Sequence, residues 1–177
     1  YGGGWVRKDV REEERQGFKG QVKTTDIPFH VRIEAYVEES TPVVAMVGSS
    51  SAAGFGANLP IFDSPLSWFC REHKAIPVHY AIPGDTMLNS LDPSAYKWSK
   101  WNGMSRPDKA LMYPGSNDIF GSASLDELKS RANRINNIIA DKLTTQIYMV
   151  TIPPRTVRVD REDVRREYNK WLKSGDV

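Results

Sequence analysis

Val43-Val44-Ala45-Met46-Val47-Gly48-Ser49-Ser50-Ser51-Ala52-Ala53-Gly54-Phe55-Gly56 is the stretch on which the fold turns. Its first five residues form an unbroken apolar run. Such a run suits a strand covered on both faces, as in a parallel sheet packed between helices. The small and polar residues that follow let the backbone turn sharply where the strand stops.

Downstream the same rhythm repeats. Asp63-Ser64-Pro65 is a helix start, with a capping residue and a proline near the first turn. Leu66, Phe69, Cys70 and His73 then recur on one helical face. Ile76 to Ala81 reads as a second strand and Ala110 to Tyr113 as a third. Ser124-x-x-Glu127 is a capping box, opening a long helix through Ile135, Ile138 and Ile139 to about Leu143. Gln146 to Ile152 reads as a fourth strand. Asp160 starts a last helix whose apolar face is Val164, Tyr168, Trp171 and Leu172. Alternating strands and helices predict an α/β fold with a mainly parallel sheet.

Upstream the pattern differs. Phe29, Val31, Ile33, Ala35 and Val37 alternate with polar residues, the signature of a strand with one wet face that carries His30. Val6 to Gln16 is a charged stretch with few apolar anchors. Residues 1–40 are therefore expected to form a charged and β-strand segment. It either packs on the downstream residues or ends a β-domain lying upstream. Residues 41–177 are expected to form the α/β domain.

Composition narrows the function. The chain has 177 residues, and 24 Lys+Arg against 22 Asp+Glu give a formal charge of +2. Near-balance of charge argues against a nucleic-acid partner, and no apolar run approaches a membrane span. A single cysteine, Cys70, excludes an internal disulfide and a cysteine-based zinc site. No cofactor is expected. The chain reads as soluble, with an extracellular or virion-associated setting among the options.

Parallel α/β sheets bind ligands beyond the carboxyl ends of their strands, and three strand tips here are unusual in composition. After strand one, Gly48 to Gly56 is either a glycine-serine loop, a nest of backbone N–H groups, or a turn exposing a serine hydroxyl. After strand two, Ala81-Ile82-Pro83-Gly84-Asp85-Thr86 is either a plain Pro-Gly turn or a place where the Gly84 N–H meets an oxyanion. After strand three, Tyr113-Pro114-Gly115-Ser116-Asn117-Asp118 is either a turn or the source of a second donor, the Asn117 amide.

Serine, glycine and asparagine at successive strand tips resemble the SGNH hydrolase superfamily, the GDSL-type esterases and lipases. Gly48-Ser49-Ser50-Ser51-Ala52-Ala53-Gly54 is similar to the family's Gly-Asp-Ser-x-x-x-Gly block. The second block looks like the stretch ending Gly84-Asp85-Thr86. The third, Gly-x-Asn-Asp, is matched by Gly115-Ser116-Asn117-Asp118, and Thr151-Ile152-Pro153-Pro154 is similar to the family's stretch after strand four. The resemblance covers about residues 42–177. It implies a three-layer α/β/α, flavodoxin-like sandwich, with Ser50 as nucleophile and Gly84 and Asn117 as oxyanion donors.

Two departures stand out. Ser49 occupies the place of the family's Asp before the nucleophile. The family's Asp-x-x-His, which carries the general base and its orienting acid, has no match, since His30, His73 and His79 all precede the asparagine block. His73 lies on a helix face and is expected at the edge of the core, and His79 lies inside a strand. The base and acid are therefore expected beyond Val177, from further sequence, domains or chains, and the sheet to lack its last strand. The α/β-hydrolase elbow fails because Ala52 stands where Gly-x-Ser-x-Gly needs glycine. A P-loop fails because no Gly-Lys-Ser/Thr follows strand one.

The expected partner is an ester substrate, an acetylated glycan being the leading class. Trp98 and Trp101 offer sugar-stacking surfaces on that reading, or one face of an amphipathic helix on the plainer one. The other function class is a non-catalytic SGNH-like module of a larger assembly, such as a virion tail or a cell-surface protein.

Overall fold

A computed structural model of the protein describes residues 38–59, 62–99, 106–154 and 159–175. The expected N-terminal strand, His30 and Trp101 lie outside the described residues. Four strands, β1 (Val43–Gly48), β2 (Ile76–Ala81), β3 (Lys109–Met112) and β4 (Ile147–Met149), form one sheet in the order β2-β1-β3-β4. Every adjacent pair is parallel. The helices that flank it are α1 (Pro65–Glu72), α2 (Met87–Ser90), α3 (Tyr96–Ser99), α4 (Ser116–Phe120), α5 (Leu125–Lys142) and α6 (Glu162–Ser174). A single 3₁₀ turn, Val159–Arg161, leads into α6.

The apolar run of β1 lies between β2 and β3, and Val44, Ala45, Met46 and Val47 are all buried. Helices start where their caps dictate. Ser64 Oγ accepts from the Ser67 N–H, with Pro65 in the first turn of α1. Leu66 and Cys70 face the core, where burial pushes the Cys70 thiol up to about 11. Phe69 and His73, expected on that face, are exposed and meet each other with ring planes tilted by 40° and centroids 4.4 Å apart. The helix ends at Glu72, so His73 is its C-cap and leaves the helical path before the stripe can bring it inward.

At α5 both halves of the capping box form. Ser124 Oγ accepts from the Glu127 N–H at 3.2 Å, and the Ser124 N–H donates to Glu127 Oε2 at 2.8 Å. Leu128, Ala132, Ile135 and Ile139 then bury one face of the helix. Ser124→Ala is expected to cost about 1 kcal/mol of stability, read as a lower midpoint in urea with an unchanged slope.

β4 is shorter than the sequence pattern predicts. The Val150 N–H still donates to the Met112 carbonyl at 2.8 Å, but the chain then leaves the ladder. Asn169 of α6 brackets Ile152 instead, its Oδ1 accepting from the Ile152 N–H and its Nδ2 donating to the Ile152 carbonyl, each at 2.8 Å. A side-chain amide here satisfies the backbone groups that a strand neighbour would otherwise satisfy. Next to it, Arg165 and Arg166 engage Glu162, and their hydrogen bonds hold that carboxyl down at about 2. Arg165 and Arg166 of the last helix are thus ion-paired with an acid of the same helix.

Candidate active site at the strand tips

The strand order reverses its direction of winding at β1 and β3, and the crevice beyond those two carboxyl ends is where such sheets place ligands. Ser50, Gly84 and Asn117 follow β1, β2 and β3, and β1 is hydrogen-bonded between the other two. The register carries this adjacency to the tips. Gly48 pairs with Ala81, Val47 pairs with Met112, and the Tyr113 N–H donates to the Val47 carbonyl at 2.9 Å.

After β1 the chain coils into consecutive turns. The Ala53 N–H donates to Ser49 O at 3.0 Å and the Phe55 N–H to Ser50 O at 2.8 Å. Residues opening such a coil keep N–H groups that no carbonyl of the coil can reach, and Ser50 is among them. Its side chain is half-buried. Ser49, by contrast, is 5% exposed, and its Oγ has no hydrogen-bond partner among the described residues. It lines a small cavity of about 20 Å³ together with Asp85, Ser90 and Lys97.

Gly84 is exposed, with φ +81° and nothing within 4 Å of where a Cβ would stand. Its N–H therefore lies on an open turn, closed below by the Asp85 N–H donating to Ile82 O at 3.1 Å. Gly115 is the tighter case. Its φ is +84°, and a Cβ would meet Met87 Cε at 2.9 Å, with Leu128 and Tyr168 atoms at 3.4 Å. The left-handed backbone, with Met87 close by, favours glycine where this loop turns to present Asn117.

Hydrogen bonds join the loop after β2, the start of α2 and α5 to α4. Asn117 Nδ2 donates to the Asp85 carbonyl at 2.7 Å. Asp118, 3% exposed, accepts from the Met87 N–H at 2.8 Å and from Arg131 Nη1 at 3.0 Å. The asparagine and the glycine loop expected from sequence are thus held against each other.

Trp98 is corrected. It is 3% exposed, donates its indole N–H to Ser90 O at 3.1 Å and lies 6.3 Å from the Tyr80 ring. Core packing, not stacking on a ligand, occupies it. Among the described histidines, His73 caps α1 on the surface, and His79 sits within β2 beside Met46 with Nε2 at 3.3 Å from Ser64 Oγ. Neither stands at a strand tip. No group of three His, Cys, Asp or Glu suited to a metal ion occurs among the described residues, and no described helix is long and apolar enough to cross a membrane.

Sequence reading missed Lys97 and Arg131. Arg131 had a legible signal, since it lies four residues after Glu127 on α5 and bridges to it at 2.9 Å. Lys97 had none, because nothing in Tyr96-Lys97-Trp98 marks the lysine as buried.

No protein-family model matches the sequence, and no curated protein matches it either. Solved structures do. AlinE4, described as an SGNH-hydrolase family esterase, superposes with a TM-score of 0.61 at 18% identity, over 78% of this chain and 74% of that one. A member of the lipolytic protein G-D-S-L family from Veillonella parvula gives 0.60 at 14% identity, over 76% and 72%. The psychrotrophic esterase EstA from Pseudoalteromonas gives 0.55 at 10%, over 75% and 72%. The parallel four-stranded sheet, its flanking helices and these likenesses together give the chain the fold of the SGNH, or G-D-S-L, hydrolases.

Proposed function

We propose that the protein is a serine ester hydrolase that transfers an acyl group to water through Ser50. The observation that carries this is the 2.7 Å bond from Asn117 Nδ2 to the Asp85 carbonyl, beside the tip of β1 that bears Ser50. It sets an amide donor next to the open Gly84 turn, the arrangement a developing oxyanion needs. That AlinE4 and EstA are described as esterases supports the same reading.

The steps follow from the residues. Ser50 Oγ attacks the ester carbonyl carbon while its proton passes to a general base. The N–H groups of Ser50 and Gly84 and the Asn117 amide hold the negative oxygen. The bond to the alcohol oxygen breaks, and the base returns the proton to the leaving alcohol. Water then attacks the acyl-serine by the same route and releases the acid. His73 and His79 stand elsewhere in the fold, so the base comes from outside the described residues.

With Trp98 in the core, the sugar platform is reduced, and the substrate class we propose is a small-acyl ester, acetyl esters first and acetylated carbohydrates among them. The placement of both described histidines favours a second reading, a non-catalytic module of a larger assembly. Hydrolysis of p-nitrophenyl acetate by the full-length protein separates the two. The enzyme turns it over and Ser50→Ala does not, whereas the module shows no serine-dependent turnover.

A further inference from the structure

We infer that Lys97 is a positioning residue for the Asn117 amide, acting through Asp85; this rests on the ester-hydrolase reading and deepens it. Lys97 is 3% exposed, and a buried ammonium persists only where it is paired and hydrogen-bonded. Its Nζ lies 2.5 Å from Asp85 Oδ2 and donates to Ser90 Oγ at 2.6 Å. Ser90 Oγ in turn donates to Asp85 Oδ2 at 2.9 Å. The Asp85 carboxylate is therefore gripped from α2 by Ser90 and from α3 by Lys97. Trp98, adjacent to the lysine, closes the cluster by donating to the Ser90 carbonyl, and its ring lies 5.1 Å from the ammonium.

The grip matters because of what the same aspartate does with its backbone. Asp85 directly follows Gly84, and its carbonyl accepts from Asn117 Nδ2. A primary amide is planar, so a carbonyl that takes one N–H fixes the direction of the other. Rotation of the Asp85 residue would turn that carbonyl and, with it, the Asn117 amide. The ion pair thus sets one candidate oxyanion donor, the Asn117 amide, through the Asp85 backbone. The cost of a displaced donor falls on the transition state, where charge develops, more than on the bound ester.

A double-mutant cycle on the full-length protein tests this. Lys97→Met keeps length and removes the charge. It is expected to lower kcat about tenfold or more, with KM changed by less than about threefold. In an Asn117→Ala background the same substitution is expected to have no further effect beyond about twofold, because the amide it positions is gone. Equal losses in both backgrounds overturn the proposal. Asp85→Asn breaks the same ion pair while keeping the backbone carbonyl, and serves with the same expectations if Lys97→Met does not fold.

A second readout needs no turnover. The Asn117 side-chain amide pair, identified in a ¹H–¹⁵N spectrum by its loss in Asn117→Ala, is expected to shift in Lys97→Met. An unmoved pair overturns the positioning role. If the wild-type protein hydrolyses no ester, the enzymatic reading fails on its own, and the spectrum alone decides whether Lys97 sets the amide.

Discussion

Replacing Asn117 by alanine is expected to lower turnover about 100- to 1000-fold while the protein stays folded. The side chain is half-buried, and its amide spans from α4 to the Asp85 carbonyl. Loss of the bond to Asp85 removes about 1 kcal/mol of stability, small against a domain's total. The kinetic loss is larger because the amide acts where negative charge develops, in a site that has already positioned it. The measurement is kcat on a small acetyl ester, with circular dichroism and the unfolding midpoint as controls. Turnover near that of the wild type in a folded Asn117→Ala protein contradicts the oxyanion assignment.

The largest expected loss of stability lies one residue further on. Asp118 is buried beneath the site, accepting from the Met87 N–H and from Arg131. Asp118→Ala removes both acceptors and leaves a buried N–H and a largely buried guanidinium without their partner, at a cost of about 3 kcal/mol. For a chain of this size that lowers Tm by about 6–12 °C. Arg131 retains Glu127 at 2.9 Å, which keeps the loss below that of a wholly orphaned charge. Thermal unfolding checks this. A fall in Tm of a degree or less shows that Asp118 does not tie α2 and α5 to α4.

The core was legible, and the site only partly so, because the two depend on different kinds of signal. The Val43–Val47 run, the Ser64-Pro65 start and the Ser124-x-x-Glu127 box are local patterns, and each governs a few adjacent residues. The structure contains all three at those positions. Failures came where a local pattern met a tertiary condition. His73 has the right spacing for the core stripe but falls one residue past the helix end. Gln146 to Ile152 has strand composition throughout, yet Asn169, seventeen residues beyond Ile152, takes over its backbone. Trp98 reads more readily as core than as platform, and its burial and the partner of its indole N–H decide for the core.

Lys97 is the clearest example of a residue that sequence cannot reveal. Lysine is ordinarily solvated, and its burial depends on Asp85 and Ser90 arriving from another loop and helix. The position of three candidate residues at strand tips was legible for the opposite reason. Ser50, Gly84 and Asn117 each come soon after a strand, and a parallel sheet brings its carboxyl ends to one edge.

The most direct test of the central claim is labelling of the full-length protein by a fluorophosphonate, a reagent that traps an activated serine as its covalent adduct. The expected result is one adduct, placed on Ser50 by peptide mass spectrometry and absent from Ser50→Ala. A folded full-length protein that takes up no label, or keeps its label in Ser50→Ala, contradicts the assignment of Ser50 as the nucleophile.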